Sequence, residues 1–186
     1  MSGPSCQHNN FAHRLGFRKA DGRGEGRDGQ SLALVDEFHP VFAGPDLADA
    51  QTRVKPVSQA RALSLINTLR KKRGLPPLKA DSRLRQAAQT HSVWMATRGK
   101  LTHRAGFGGG LGAKVRRVDY PSGAAWENIA AGQKSLEQAI DSWMKSSGHR
   151  KNMLSRSAVH IGIAAAHNPK VRYGTYWTLI LAEPKK

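Results

Sequence analysis

Two histidines and one glutamate are the residues of this chain whose types could act together in chemistry. His103, Glu127 and His149 are well separated along the sequence. Two imidazoles and one carboxylate can bind zinc or another divalent metal and leave a coordination position open, or they can transfer protons without any metal. We therefore take all three as candidate metal ligands, and Glu127 and His149 as candidate catalytic groups. Their spacing does not require the three side chains to meet, so the helices and strands around them determine whether they form one site.

Other catalytic chemistries lack the residues that they need. The single cysteine, Cys6, can form neither an intramolecular disulfide nor a cysteine metal cluster. The chain has no Gly-x-Ser-x-Gly motif, so no serine nucleophile is indicated. Residues 104–125 are rich in glycine but lack the lysine and serine or threonine that end a phosphate-binding loop. This long segment is typical of a flexible rim over a cleft rather than of a nucleotide site.

The excess of positive charge lies after residue 57. Residues 1–57 hold seven Lys and Arg and seven Asp and Glu, so the net charge of +17 resides on residues 58–186. Such a surface attracts polyanions, although it also serves solubility. Basic clusters stand at 70–73, 114–117 and 150–156, and no nucleic-acid-reading motif accompanies them, which favours only non-specific binding of nucleic acid. No apolar run is long enough for a transmembrane helix.

The N-terminal segment, residues 1–57, differs from the rest in composition. Residues 22–29 alternate glycine with charged side chains and cannot bury apolar surface. We expect low order through residue 57 and one folded domain over residues 58–186. No signal peptide of ordinary shape is recognisable, because the apolar patch at 31–35 is short and is followed at once by two acids.

Apolar residues at helical spacing predict two helices ahead of the candidate site. The first spans about residues 58–74, and Arg70 falls outside its apolar stripe together with the other basic residues. The second spans residues 81–99, with an aspartate or serine as N-cap and a glycine as its stop. His91 lies on the apolar side of the second helix, where a histidine is more often a core residue than a ligand.

A third helix and two strands follow the glycine-rich segment. Ser135 and Gln138 form a capping box, in which each side chain accepts a hydrogen bond from the other residue's amide, and the helix that it opens should end at Gly148. Residues 159–164 and 173–181 have strand character and flank an Asn-Pro turn, which predicts an antiparallel hairpin. This order of elements predicts the α+β class, with helices packed on an antiparallel sheet.

A series of short motifs also runs in order through residues 58–183. They are Ile66-Asn67-x-x-Arg70, Gly74-Leu75-x-x-Leu78, Leu101-x-His103, Glu127-Asn128-Ile129-Ala130, Ser147-Gly148-His149-Arg150-x-Asn152 and Tyr176-Trp177-Thr178. Each motif is weak alone. Their order and spacing together resemble the CAP superfamily, which comprises cysteine-rich secretory proteins, antigen 5 and pathogenesis-related proteins, in its compact bacterial form.

The resemblance implies a fold and a cleft. The fold is α+β, a three-layer α-β-α sandwich with a central antiparallel sheet. The family's cleft is lined by two histidines and two acids, and His103, Glu127 and His149 match three of these four positions. Ser146 stands where the second acid is found in many members, so the tetrad is incomplete in this chain.

Two functions follow from the residues and the resemblance together. The first is an extracytoplasmic module, secreted or periplasmic, that binds an anionic envelope polymer or lipid and whose cleft can hold a divalent metal or none. The alternative is a metal-dependent, protease-like hydrolase with His103 and His149 as ligands and Glu127 as ligand or base. We expect a monomer without a transmembrane segment, and the sequence leaves open whether the protein is an enzyme.

Overall fold

A computed structural model describes residues 51–104 and 109–186, so the predicted low-order stretch at 22–29 lies outside the described residues. The described residues form five helices and five strands, and none of these helices is long and apolar enough to cross a membrane. In chain order the elements are β1 (Arg53–Lys55), α1 (Gln59–Lys71), β2 (Lys79–Ala80), α2 (Ser82–Arg98), α3 (Leu111–Arg116), β3 (Ser122–Ala131), α4 (Leu136–Lys145), α5 (Ser147–Met153), β4 (His160–His167) and β5 (Thr175–Pro184).

The strands form one sheet. Three antiparallel pairings give the order β1-β4-β5-β3, and the two-residue strand β2 adds to β4 in parallel. The predicted hairpin is confirmed as β4 and β5, each placed slightly later in the chain than its sequence pattern suggested. Almost all side chains of these two strands are buried, because helices cover both faces of the sheet.

The helices form two layers. On one face, Ile66 of α1 and Trp143 of α4 share a buried cluster with Leu179 of β5. On the opposite face, Leu84 of α2 shares a cluster with Ile180 of β5. Successive residues of a strand point to opposite faces, so a single strand supplies both clusters. The predicted α+β class and three-layer α-β-α sandwich are therefore confirmed.

Gly162 allows α2 to lie directly on β4. A Cβ atom added at this glycine would stand 2.1 Å from the amide nitrogen of Arg85 and 2.2 Å from the carbonyl carbon of Leu84. A glycine inside a strand is typical of such a close approach of another backbone. The contact sets the distance of α2 from the sheet, and with it the position of His91.

The helix predicted to end at Gly148 is in fact two helices. Ser146 is extended, with φ −90° and ψ 125°, and serves as C-cap of α4 and N-cap of α5, so Gly148 lies inside α5. The predicted capping box is half correct. The Gln138 amide donates to the Ser135 hydroxyl at 3.2 Å, but the Gln138 side chain accepts from the amide of Lys134.

The segment 104–125, predicted as one long loop, contains α3 and the first residues of β3. A helix of six residues is too short to show a helical apolar period. The alternation of β3 is obscured because two polar residues, Glu127 and Asn128, are buried in it. Residues 105–108 of this segment lie outside the described residues.

Residues 51–57 also depart from the prediction, which assigned them low order. β1 pairs with β4, with Arg53 opposite His167 and Lys55 opposite Ala165. Val57 packs against the cluster under α1. The predicted domain start at Ser58 is therefore too late. Backbone pairing to β4 orders β1, although the composition of this segment does not indicate a strand.

Arg70 is buried, although its place outside the apolar stripe of α1 predicted a surface residue. It is 0% exposed, and its guanidinium donates to the carbonyl oxygens of Pro76, Met153 and Ser155 at 2.9–3.0 Å. A longer contact of 3.5 Å reaches the carbonyl of Ala158. Arg70 thus joins the end of α1 to the chain that follows α5.

Candidate functional site

Glu127 is a buried carboxylate in the middle of β3. Its side chain is 3% exposed, and its backbone pairs with Ile180 of β5. The carboxylate lies on the face of the sheet that α2 and α3 cover, because its contacts come from these helices and from the chain between them. A buried charge of this kind needs partners that compensate for its lost hydration.

Both oxygens of the Glu127 carboxylate have such partners. His103 Nδ1 donates to Oε1 at 2.9 Å, and Lys114 Nζ donates to Oε2 at 2.5 Å. His91 Nε2 lies 3.9 Å from Oε1, too far for a hydrogen bond. Burial alone would raise the pKa of Glu127, but the hydrogen bond from His103 and the charge of Lys114 outweigh it. The pKa therefore lies below its ordinary value, and the carboxylate is ionised at neutral pH.

Lys114 is the cation of this cluster. Its side chain is 8% exposed, and it extends from α3, which the buried Val115 holds in the core. Lys114 Nζ also donates to the backbone carbonyl oxygen of His103 at 2.9 Å. Burial lowers the pKa of Lys114, and Glu127 opposes that effect. The sequence predicted Lys114 as part of a basic surface cluster, because nothing in the local pattern marks it as buried.

His91 is a core histidine, as its position on the apolar side of α2 predicted. It is 1% exposed, and its ring stacks on Trp94 with 6.3 Å between ring centroids. Nε2 lies 2.9 Å from the carbonyl oxygen of Thr102 and must donate to it, which leaves Nδ1 as an acceptor with no partner among the described residues. Burial lowers the pKa of His91 to about 4, so its imidazole is neutral at neutral pH.

His149 reaches the same region of β3 through its backbone. Its carbonyl oxygen accepts from Asn128 Nδ2 at 2.9 Å. Asn152 Nδ2 donates to Asn128 Oδ1 at 2.9 Å and to the carbonyl of Glu127 at 3.3 Å. These side-chain amides fix α5 against β3 beside the buried carboxylate. Asn128 therefore orients backbone, as we expected from the sequence.

The predicted metal ligands can be compared with this geometry. Within residues 51–104 and 109–186, no group of three or more histidine, cysteine, aspartate or glutamate side chains is arranged to hold a metal ion. Of the predicted set, His103 and Glu127 are joined through their side chains, whereas the contacts described for His149 run through its backbone. The donors as they stand do not fit a zinc site, because the Lys114 ammonium lies on Glu127 Oε2. Metal binding and catalysis by Glu127 and His149 stay predictions.

A small cavity of about 50 Å³ lies beside the cluster, between α2 and α3. His91, Trp94, Lys114 and Arg117 line it together with small and aliphatic residues. A space of this size holds a few water molecules, and it is far smaller than the pockets that take organic ligands. The cavity is therefore too small to be a pocket for an organic substrate.

Comparison with known proteins agrees with the fold and with the order of the motifs. The sequence model of the family described as CAP, the cysteine-rich secretory protein family, matches residues 63–181. The chain belongs to the CAP family. The matched range contains His103, Glu127 and His149, and the resemblance predicted from the sequence is confirmed.

The relatives of this CAP chain in sequence are longer proteins. YkwD of Bacillus subtilis (strain 168), an uncharacterized protein, is 33% identical over 120 residues, which span 64% of this chain and 45% of that protein. YlbC, an uncharacterized membrane protein of the same organism, is 29% identical over 60% of this chain and 32% of its own length. The chain thus spans less than half the length of these curated relatives.

Solved structures show the same CAP fold. An extracellular protein containing a SCP domain from Bacillus anthracis str. Ames superposes with a TM-score of 0.59 at 25% identity, over 69% of this chain and 45% of that one. An outer surface protein from Borrelia burgdorferi gives a TM-score of 0.62 at 19% identity, over 72% of this chain and 100% of that one. The second similarity shows the fold alone.

Proposed function

We propose that this CAP chain is an extracytoplasmic binding module that holds anionic envelope polymers or lipids on a basic surface. The observation that carries the proposal is a set of exposed cations in two segments, residues 70–80 and 146–160, which contain no acidic residue. We call this set the basic patch; it comprises Lys71, Lys72, Arg73, Lys79, Lys151 and Arg156.

The fold places the two segments of the basic patch side by side. The Arg70 guanidinium connects the end of α1 to the carbonyl oxygens of Met153 and Ser155, the second of which directly precedes Arg156. The Lys79 amide donates to the carbonyl oxygen of Val159 at 2.9 Å. Two basic clusters that are about 80 residues apart in sequence therefore form one surface.

Most acids of the domain are paired with cations outside the basic patch. Residues 58–186 contain six Asp and Glu, and four of them form ion pairs with cations outside the basic patch. These pairs are Asp81–Arg83, Glu127–Lys114, Glu137–Arg61 and Asp141–Lys145. The patch therefore keeps a strong positive potential, which suits a ligand with closely spaced phosphate or carboxylate groups.

The extracytoplasmic part of the proposal is supported by one similar protein with the same fold. The similar protein from Bacillus anthracis is described as an extracellular protein. This description agrees with a partner in the cell envelope.

The test is binding to phosphatidylglycerol-containing vesicles and to polyphosphate, each at several salt concentrations. The variant Lys71→Gln/Lys72→Gln/Arg73→Gln removes three charges from the basic patch. Each Lys or Arg at an anionic surface contributes about 1 kcal/mol, so we expect vesicle binding to weaken about 100-fold. Binding of the native chain should also fall as salt rises, because salt screens exposed charges.

The control is a second triple variant with the same loss of charge at the other end of the sheet. Lys100, Lys134 and Lys170 are exposed. They lie near the C-terminal end of β4, whereas Lys79 of the basic patch pairs with His160 at the N-terminal end, about 23 Å away along the strand. Their replacement by Gln should weaken binding only slightly. Equal losses in both triple variants, or binding that ignores salt, would contradict a defined patch. Binding to polyphosphate but not to vesicles would identify the polymer as the ligand, and the reverse result would identify the lipid.

No described contact favours the alternative of a metal-dependent hydrolase. That function needs Glu127 free to hold a metal or to polarise water, and its carboxylate is bound by Lys114 and His103. Nucleic acid is a polyanion too, so duplex DNA serves as a specificity control. Binding to DNA that equals binding to vesicles and polyphosphate would reduce the patch to a general polyanion surface.

A further inference from the structure

We infer that Lys114 is the resident cation of the Glu127 cleft, and that its ammonium group keeps divalent metal ions off the carboxylate. The cluster consists of three buried side chains, Glu127, Lys114 and His91, and of His103, whose side chain is 52% exposed. This role of Lys114 goes beyond the envelope-binding proposal and does not depend on it, since the basic patch is built from other residues.

The ammonium contacts the oxygens that a metal ion would use. Lys114 Nζ lies 2.5 Å from Glu127 Oε2 and 2.9 Å from the carbonyl oxygen of His103. Carboxylate and carbonyl oxygens are also ligands for divalent cations. A metal ion could reach this pair of oxygens only if the Lys114 side chain moved away.

Neither His103 nor His91 turns a nitrogen with a free lone pair toward the Glu127 carboxylate. His103 Nδ1 donates to Glu127 Oε1, so that nitrogen carries a hydrogen. The His91 nitrogen nearer to Glu127, Nε2, donates to the carbonyl of Thr102 and is protonated as well. Metal binding requires an imidazole nitrogen with a free lone pair. The two imidazole nitrogens nearest to Glu127 are therefore hydrogen-bond donors, and a metal ion on the carboxylate would find no lone pair at either of these atoms.

The charge balance points the same way. Glu127 and Lys114 form a neutral pair whose side chains are 3% and 8% exposed. A divalent ion added beside the carboxylate would leave a net positive charge in a site where water and salt screen little. The metal and the ammonium would repel each other at short distance.

Lys114 is also held in place by the fold. Val115, which follows it, is 1% exposed and packs with Leu84 and Tyr120 between α2 and the sheet. If the Lys114 side chain moved away, the Glu127 carboxylate would remain buried without a cation to compensate its charge. The ammonium is thus a fixed part of the cleft rather than a surface side chain that happens to reach it.

The experiment is a zinc titration of the full chain by calorimetry. Lys114→Met keeps the length of the side chain without its charge, and Lys114→Gln keeps a hydrogen-bond donor without its charge. Each is compared with the same protein carrying Glu127→Gln as well, which subtracts zinc held by surface histidines. We expect the native chain to show no Glu127-dependent zinc site. The neutral variants should bind about one equivalent of zinc at least 10-fold more tightly than the native chain binds it. The additional change Glu127→Gln should abolish that gain.

Two controls keep the inference testable. Lys114→Arg retains the charge and should behave as the native chain, and Lys100→Met makes the same change at an exposed lysine and should bind no additional zinc. A native chain that binds one equivalent of zinc through Glu127 would overturn the inference. So would folded neutral variants that gain no zinc. A neutral variant that folds only when zinc is present would support it. If neither neutral variant folds under any condition, the native chain and its Glu127→Gln variant decide: equal zinc binding supports the inference, and a Glu127-dependent equivalent refutes it.

Discussion

Replacement of Arg70 by methionine should test how one buried cation stabilises the region after α5. Methionine keeps the apolar stem of the side chain and removes the guanidinium. The carbonyl oxygens of Pro76, Met153 and Ser155 then lose donors at 2.9–3.0 Å. Of these, the bond to Met153 is buried and the other two are partly buried.

The magnitude follows from two opposing effects. A hydrogen bond from a charged donor contributes about 1.5–3 kcal/mol, and a buried acceptor left without a partner costs about 1–3 kcal/mol. Against this, the variant no longer has to bury a cation, which costs several kcal/mol in the native chain. Burial also lowers the pKa of Arg70, and no acid compensates for it within the described contacts. We expect the free energy of unfolding to fall by about 3 kcal/mol.

The assay is urea unfolding of the full chain, with hydrogen exchange of the amides of residues 153–158 as a local readout. Arg73→Met is the matched control, because Arg73 is exposed and should change the free energy of unfolding by less than about 0.5 kcal/mol. Arg70→Lys should lose most of the same stability, since one ammonium cannot replace the planar fork of donors. A loss below about 1 kcal/mol for Arg70→Met, or equal losses at Arg70 and Arg73, would refute the reasoning.

Two further predictions concern the helix layer formed by α2. Gly162→Ala should lower the free energy of unfolding by about 3 kcal/mol or more, because the added Cβ would overlap the backbone of α2. Thermal unfolding checks this, with Gly123→Ala as the control, since a Cβ at Gly123 would meet only ordinary contacts at 3.6 Å. Equal losses of stability in the two variants would contradict the close approach of α2 to β4. Asp81 caps α2, and although burial raises its pKa, hydrogen bonds from Arg83 and Leu84 outweigh this and hold the pKa below its ordinary value. Its stabilisation is therefore complete above about pH 4 and is lost as the pH falls through the folded-state pKa. Asp81→Ala should accordingly cost about 1 kcal/mol at pH 7 and progressively less below pH 4 in urea titrations, and a difference that does not depend on pH would disprove the assignment.

The apolar periods of the sequence predicted most of the framework. They predicted α1, α2, α4 and the β4–β5 hairpin, because each of these buries a regular stripe or a continuous apolar run. The same reasoning missed β3, whose central Glu127 and Asn128 are buried for polar contacts rather than for apolar packing. It also missed β1 and α3, which are too short for a period to show.

The candidate site divides in a similar way. The motifs indicated that His103 and Glu127 belong together, and their side chains do meet. Lys114 could not be predicted as their partner, because a lysine inside a basic cluster resembles a surface residue until the fold supplies a buried carboxylate for it. Arg70 was misplaced for the same reason, since its partners are carbonyl oxygens about 80 residues away, which no sequence pattern marks.

The three-residue strand β1 has a practical consequence for work on shorter versions of this chain. β1 occupies the edge of β4 along Ala165–His167. A fragment that starts at Ser58 would leave the amides and carbonyls of that edge unpaired, and an open strand edge invites pairing with another molecule. Such a fragment should dimerise or aggregate, and added self-association could be mistaken for a property of the native protein. Fragments that begin at or before residue 51 retain β1, which pairs with the edge of β4 and so prevents that edge from pairing with another molecule.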